Sequence, residues 1–210
     1  RILSSAASDV YKRQPLDLIK KQFLKKNKII ITTSKGSTAK LFAQIINNAP
    51  IDIFLSADQL TIKKLPDNKK IQGSEFTYAI GKLVIFSKSK ILKQLKLGKF
   101  LSQKLSNKIV IGNPKFSPYG LASKQVLESL GIWSLFKNKI ILASNINQVS
   151  SFIYSGNADL GIISNSDKLK LKKYKFGYFK EIPQNLYSPI KQDVILLENA
   201  KNNNKAKLFF

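Results

Sequence analysis

Three short stretches place small polar residues directly before an apolar-periodic run: "KGSTAKL" (35–41), "GNPKFSPYGLASK" (112–124) and "ASNINQVSSF" (143–152). Serine, threonine and asparagine at such points cap helices. The first N–H groups of a helix have no carbonyl inside it to bond, and the dipole adds partial positive charge there. A helix start is therefore suited to a small anion. In the second stretch Pro118, Tyr119 and Gly120 stand before or at the helix start; in the third, Ser144 or Asn145 is the expected N-cap. One such turn is ordinary capping. Three of them, at the carboxyl ends of strands in an open α/β sheet, lie on the edge where ligands bind and could enclose a small oxyanion. The phosphate-loop pattern GxxxxGK[ST] is absent, so "KGSTAKL" does not read as a nucleotide cradle.

Other chemistries are narrowed by what is missing. The chain has no cysteine and no histidine. That removes thiol nucleophiles, disulfides, the usual zinc sites and serine–histidine catalysis. The remaining bases (Asp, Glu, Lys and Tyr) form no recognisable constellation, so no enzyme activity, no cofactor and no direct metal-cation ligand is expected. The formal charge is +24, which raises nucleic acid or an anionic membrane as partners. Against nucleic acid, the excess is almost all lysine, it is scattered, and no arginine occurs beyond position 14. Base and phosphate readers lean on the bidentate arginine fork. Lysine, isoleucine and asparagine are all encoded by AT-rich codons, which gives the excess a genomic explanation. The alternative of a basic nucleic-acid-binding protein has one discriminator, duplex binding with a steep salt dependence.

The elements that must hold these turns follow from apolar periodicity. Strands are expected at 28–33, 51–57, 82–86, 108–112, 139–143, 159–164 and 193–198, where β-branched runs are short and several are bounded by Gly, Pro, Asn or Ser. Helical stripes lie between them: Leu16, Ile19, Lys20 and Phe23; Leu41, Phe42, Ile45 and Ile46; Leu121, Val126, Leu127 and Leu130, stopped by Gly131; and Val149, Phe152 and Ile153, stopped by Gly156. Such alternation predicts an α/β fold with mostly parallel sheets and helices on both faces. No run of 18 apolar residues occurs, so no membrane span is expected. The first stretch, "RILSSAASDVYKRQ", holds both arginines and differs in composition from the rest. It has no signal-peptide core, reads as foreign sequence and stays outside the fold expectation. Both ends read as those of a fragment.

Three further segments carry a family resemblance. They are "NAPIDIFLSADQ" (48–59), "IGNPKFSPYGLASKQVLESLGIW" (111–133) and "NADLGIISNSD" (157–167), co-linear and correctly spaced. In these, and from about Pro15 to Phe210, the chain resembles the periplasmic molybdate-binding proteins of ABC importers. The resemblance implies a two-lobed periplasmic-binding-protein fold (type II) with the ligand in the interlobe cleft. Residues 1–80 with 181–210 would form lobe one and 81–180 lobe two, the chain crossing near "TYAIG" and near "FKEIP".

It also implies a ligand and a donor set. The ligand is a tetrahedral dianion, molybdate or tungstate, held by neutral donors only. Hydroxyl and N–H groups fall on Ser37 and Thr38, with either as the direct ligand; backbone donors fall on Tyr119 and Ile146. The family's tyrosine hydroxyl falls on Ser164, a departure, since serine is too short to reach as far. A serine ending the first strand falls on Ser8. Asp52 and Asp58 are expected to serve capping or hinge hydrogen bonds, because a carboxylate would repel a dianion. The implied partner is an ABC importer permease, the implied location the periplasm and the implied state a monomer. Another oxyanion such as sulfate, or the same fold as a sensing domain of a regulator, are the competing readings within the class.

Overall fold

The computed structural model describes residues 2–7, 13–36, 38–88, 96, 99, 108–136, 138–144, 146–172 and 177–210. The chain divides into two units, Arg1–Ile80 with Lys191–Phe210, and Gly81–Ile190. Each is built on its own five-stranded sheet.

The first unit contains β1 (Ile2–Ala7), α1 (Arg13–Asn27), β2 (Ile31–Gly36), α2 (Thr38–Ile46), β3 (Ile53–Leu55), α3 (Gln59–Lys63) and β4 (Phe76–Gly81). After the second unit come β10 (Ile190–Leu196) and α8 (Asn204–Phe209). The sheet order is β2-β1-β3-β10-β4. β1 runs parallel to β2 and to β3, with Ala7 opposite Gly36 and Ala6 opposite Leu55. β10 runs antiparallel to β3. The amphipathic face of α2 buries Leu41 and Ile45 against Phe54 and Ile195. Phe54 is fully buried. Phe23 of α1 meets Phe209 of α8 edge to face, ring centroids 5.0 Å apart.

The second unit contains β5 (Leu83–Ser87), β6 (Ile109–Gly112), α4 (Pro118–Ser129), α5 (Trp133–Phe136), β7 (Ile140–Ala143), α6 (Ile146–Tyr154), β8 (Leu160–Ser164), α7 (Asn165–Lys172) and β9 (Tyr178–Glu181). Its sheet order is β7-β6-β8-β5-β9. β6 is parallel to β7 and β8, whereas β5 is antiparallel to β8 and β9. Every residue of β5, β6 and β8 is buried, which explains their unbroken apolar sequences. α4 ends with Gly131 at φ +68°, where the Gly131 N–H bonds to the Glu128 carbonyl at 2.9 Å. This is the left-handed stop the sequence signalled.

Three expectations are corrected. The sheets are mixed rather than mostly parallel, because β5, β9 and β10 enter against their neighbours. The opening stretch, read as foreign, supplies β1, which lies between β2 and β3 and hydrogen-bonds to both. Small residues such as Ser4–Ala7 carry little strand propensity of their own; pairing on both sides supplies the order. The return to the first unit falls at Lys191 rather than at 181. β9 pairs with β5, the Leu83 N–H donates to the Tyr187 hydroxyl at 3.1 Å, and Ser188 N–H donates to Gln125 Oε1 at 3.0 Å. These bonds, with buried Ile182 and Ile190, hold 181–190 in the second unit.

Candidate functional site

In the second unit the parallel strands β6, β7 and β8 all end at one edge of the sheet. Gly112 and Ala143 are register partners there. From each strand end the chain enters a helix, α4, α6 and α7 respectively. Three helix starts, each with a partial positive charge, therefore share one sheet edge.

Local chemistry fixes each start. α4 is capped by Ser117, whose hydroxyl accepts from the Gly120 N–H at 3.2 Å, with Pro118 in the first turn. Tyr119 is 5% exposed and its ring belongs to the core. Its carbonyl accepts from Ser123 Oγ at 2.7 Å. Ile146, the first residue of α6, is likewise buried in the core. Ser144 was one of two expected caps, but its N–H and its hydroxyl both donate to Gln148 Oε1, at 3.1 and 2.6 Å. It ties the loop to a glutamine one turn on instead of accepting from the helix. Asn145, the other, lies outside the described residues.

Ser164 caps α7. Its hydroxyl accepts from the Asp167 N–H at 3.2 Å and donates to Asp167 Oδ2 at 2.8 Å. Ser166 Oγ is also 2.8 Å away. Both Ser164 and Asp167 are 1% exposed. A hydroxyl has one proton to give, and here a carboxylate at the helix start takes it. Ser164 thus sits at the expected edge but its hydroxyl serves the cap.

In the first unit, β1, β2 and β3 end at a common edge. Thr38 opens α2 and is 9% exposed. Its Oγ1 accepts from the Ala57 N–H at 3.4 Å, across to the turn that follows β3. No acceptor for the Thr38 hydroxyl proton occurs among the described residues. Ser37 and Ser8 lie outside them. Asp58 caps α3, its carboxylate accepting from the Thr61 N–H at 2.6 Å and the Thr61 hydroxyl at 3.1 Å; that is the capping role expected of it. Asp52 is 7% exposed, and its carbonyl accepts from the Leu197 N–H at 2.8 Å. Among the described residues, no three metal-ligating side chains cluster.

The same turn reveals residues that sequence reasoning passed over. Asp193 of β10 accepts from the Thr77 hydroxyl at 2.6 Å and from Gln59 Nε2 at 2.9 Å. Its carbonyl accepts from the Ser56 N–H at 2.8 Å. The Tyr78 hydroxyl donates towards the Ser56 carbonyl and Gln192 Oε1, each at 3.3 Å. Gln59 ends the quoted segment "NAPIDIFLSADQ", but its partner lies 134 positions away. The one local signal was a polar Gln-Asp pair, 192–193, ahead of the apolar run that ends β10.

A sequence profile of the bacterial extracellular solute-binding proteins matches residues 5–210. The molybdate-binding protein ModA of Azotobacter vinelandii is 38% identical over 194 residues, 92% of this chain and 77% of that protein. ModA of Rhodobacter capsulatus is 33% identical over 197 residues, 93% of this chain and 76% of the relative. The solved periplasmic molybdate-binding protein of Azotobacter vinelandii superposes with a TM-score of 0.77 at 31% identity, covering 100% of this chain and 90% of that one.

Proposed function

Since the chain belongs to the bacterial extracellular solute-binding proteins, we propose that it binds molybdate or tungstate and delivers it to the membrane permease of an ABC importer. The observation that carries this reading is the 38% identity to a molybdate-binding relative across 92% of the chain. The proposed location is the periplasm and the proposed state a monomer. Its work is capture and release, with no bond made or broken.

The chemistry at the two sheet edges supports the ligand class. Thr38 donates through a hydroxyl whose oxygen accepts from the Ala57 N–H. Ser37 donates alongside it, and Tyr119 and Ile146 donate through backbone N–H groups. Ser8, next after β1, completes the donor set of the first unit. A dianion without a proton needs donors alone. A phosphate still carrying a proton would need an acceptor, which backbone N–H groups do not supply.

A thermal-shift panel of molybdate, tungstate, sulfate and phosphate tests the proposal. A ligand selective for the folded state adds about 2.7 kcal/mol at a hundredfold excess over Kd. Molybdate and tungstate should give the large shifts. A panel led by sulfate or phosphate overturns the assignment.

A further inference from the structure

Asp is depleted in strands and almost never buried without strong pairing. Yet Asp193 is 6% exposed inside β10, followed by Val194, Ile195 and Leu196, all buried. No ion pair to it occurs among the described residues. Two neutral donors, Thr77 Oγ1 and Gln59 Nε2, converge on its two oxygens. Only a carboxylate accepts from both without reorienting, so the residue type matches the surroundings. A buried charge held this way costs stability that an apolar residue would not, and such local departures mark functional positions.

What the carboxylate holds is the turn after β3. Gln59 is the first residue of α3, and Asp58 before it caps that helix while its own N–H donates to Ser56 Oγ at 3.2 Å. Ser56 is anchored at its N–H by the Asp193 carbonyl. Between these fixed points stands Ala57, whose N–H donates to Thr38 Oγ1. We infer that Asp193 is a positioning residue for oxyanion capture: through Gln59 it fixes the 56–59 turn, and the turn's Ala57 N–H orients the Thr38 hydroxyl. The inference rests on the oxyanion-binding reading above. Every contact in it lies within the first unit.

The test uses the full chain, sodium molybdate as probe, and calorimetry alongside unliganded melting curves. Gln59→Ala removes the link without changing charge and should weaken molybdate about fivefold, within the range of coupling between residues of one network. Thr38→Ala should weaken it too. In the double variant, Gln59→Ala should add less than about twofold to the Thr38→Ala loss, because the link acts through Thr38. A residue that is only structural would add its loss in full. Gln59→Glu sets carboxylate against carboxylate and should weaken binding further. Adding Asp193→Asn should recover affinity, since the asparagine amide can donate to the new glutamate. Wild-type affinity in Gln59→Ala, or full additivity with Thr38→Ala, overturns the inference while leaving molybdate binding standing. A wild-type chain that binds no molybdate overturns both.

Discussion

Gly120 lies so close to Gly112 that a Cβ on it would sit 2.3 Å from the Gly112 carbonyl oxygen and 2.8 Å from the Asn113 carbonyl carbon. The obstacle is backbone, which has no side chain to swing aside. The missing side chain lets the start of α4 close onto the end of β6, and so sets how near the α4 amides come to the sheet edge. Gly120→Ala should therefore cost about 1–3 kcal/mol, the usual range for overpacking. It should also weaken molybdate by moving the helix start. Urea denaturation with and without ligand measures both. Gly112→Ala is the comparison and should cost less: its nearest obstacle is the α4 cap, Ser117 Oγ, at 3.2 Å, with backbone no nearer than 3.5 Å. Equal stability of the two variants would refute the argument.

Ser37→Ala with Thr38→Ala should lower oxyanion affinity by at least about tenfold, since a hydrogen bond to a charged group contributes roughly 1.5–3 kcal/mol and 1.4 kcal/mol is tenfold. Backbone donors survive the change, so binding should weaken and not vanish. Tyr119→Phe is the contrast, because Tyr119 is assigned a backbone role; it should leave affinity within about twofold, well under 1.4 kcal/mol. Alanine is the wrong probe at 119. The ring is buried in the core, and truncating a large core aromatic costs about 3–5 kcal/mol through the cavity left behind. Unchanged calorimetric affinity in the folded Ser37/Thr38 variant would reduce "KGSTAKL" to a helix cap.

Ser164→Ala separates a cap from a ligand. Loss of a serine cap costs about 1 kcal/mol, and the Asp167 carboxylate loses its 2.8 Å hydroxyl donor. Stability should fall accordingly, while molybdate affinity moves less than about twofold. A tenfold loss of affinity at unchanged stability would return Ser164 to the ligand set.

Duplex DNA should bind weakly despite the formal +24. Non-specific electrostatic binding typically has a Kd of about 10⁻⁴–10⁻⁶ M at physiological salt. Fluorescence anisotropy with a labelled duplex should stay in or above that range at physiological salt. Submicromolar binding that persists at 200 mM salt would defeat the prediction.

Local properties were readable from residue order alone. Unbroken β-branched runs announced β5, β6 and β8, because strands covered on both faces must be apolar at every position. Gly131 announced the end of α4, since a positive φ is cheap only without a Cβ. Asp58 was legible as a cap because its partner, Thr61, is three residues away. Three helix starts were legible too; two of them, α4 and α6, fall on one sheet edge, whereas the third, α2, belongs to the first unit.

Partner choice over long separations belonged to the tertiary structure. Nothing in "ILSSAA" distinguishes a strand from a linker until β2 and β3 flank it. Nothing in 181–190 says which unit it joins until Tyr187 meets Leu83 and Ser188 meets Gln125. Asp193 reads as a misplaced charge in an apolar strand until Gln59 and Thr77 arrive from 134 and 116 positions away. A residue's type limits which hydrogen bonds and contacts it can make, and nearby sequence settles the ones made within a turn. Bonds between distant segments depend on which backbones the fold brings within about 3 Å of each other, and that is decided by the packing of the whole chain.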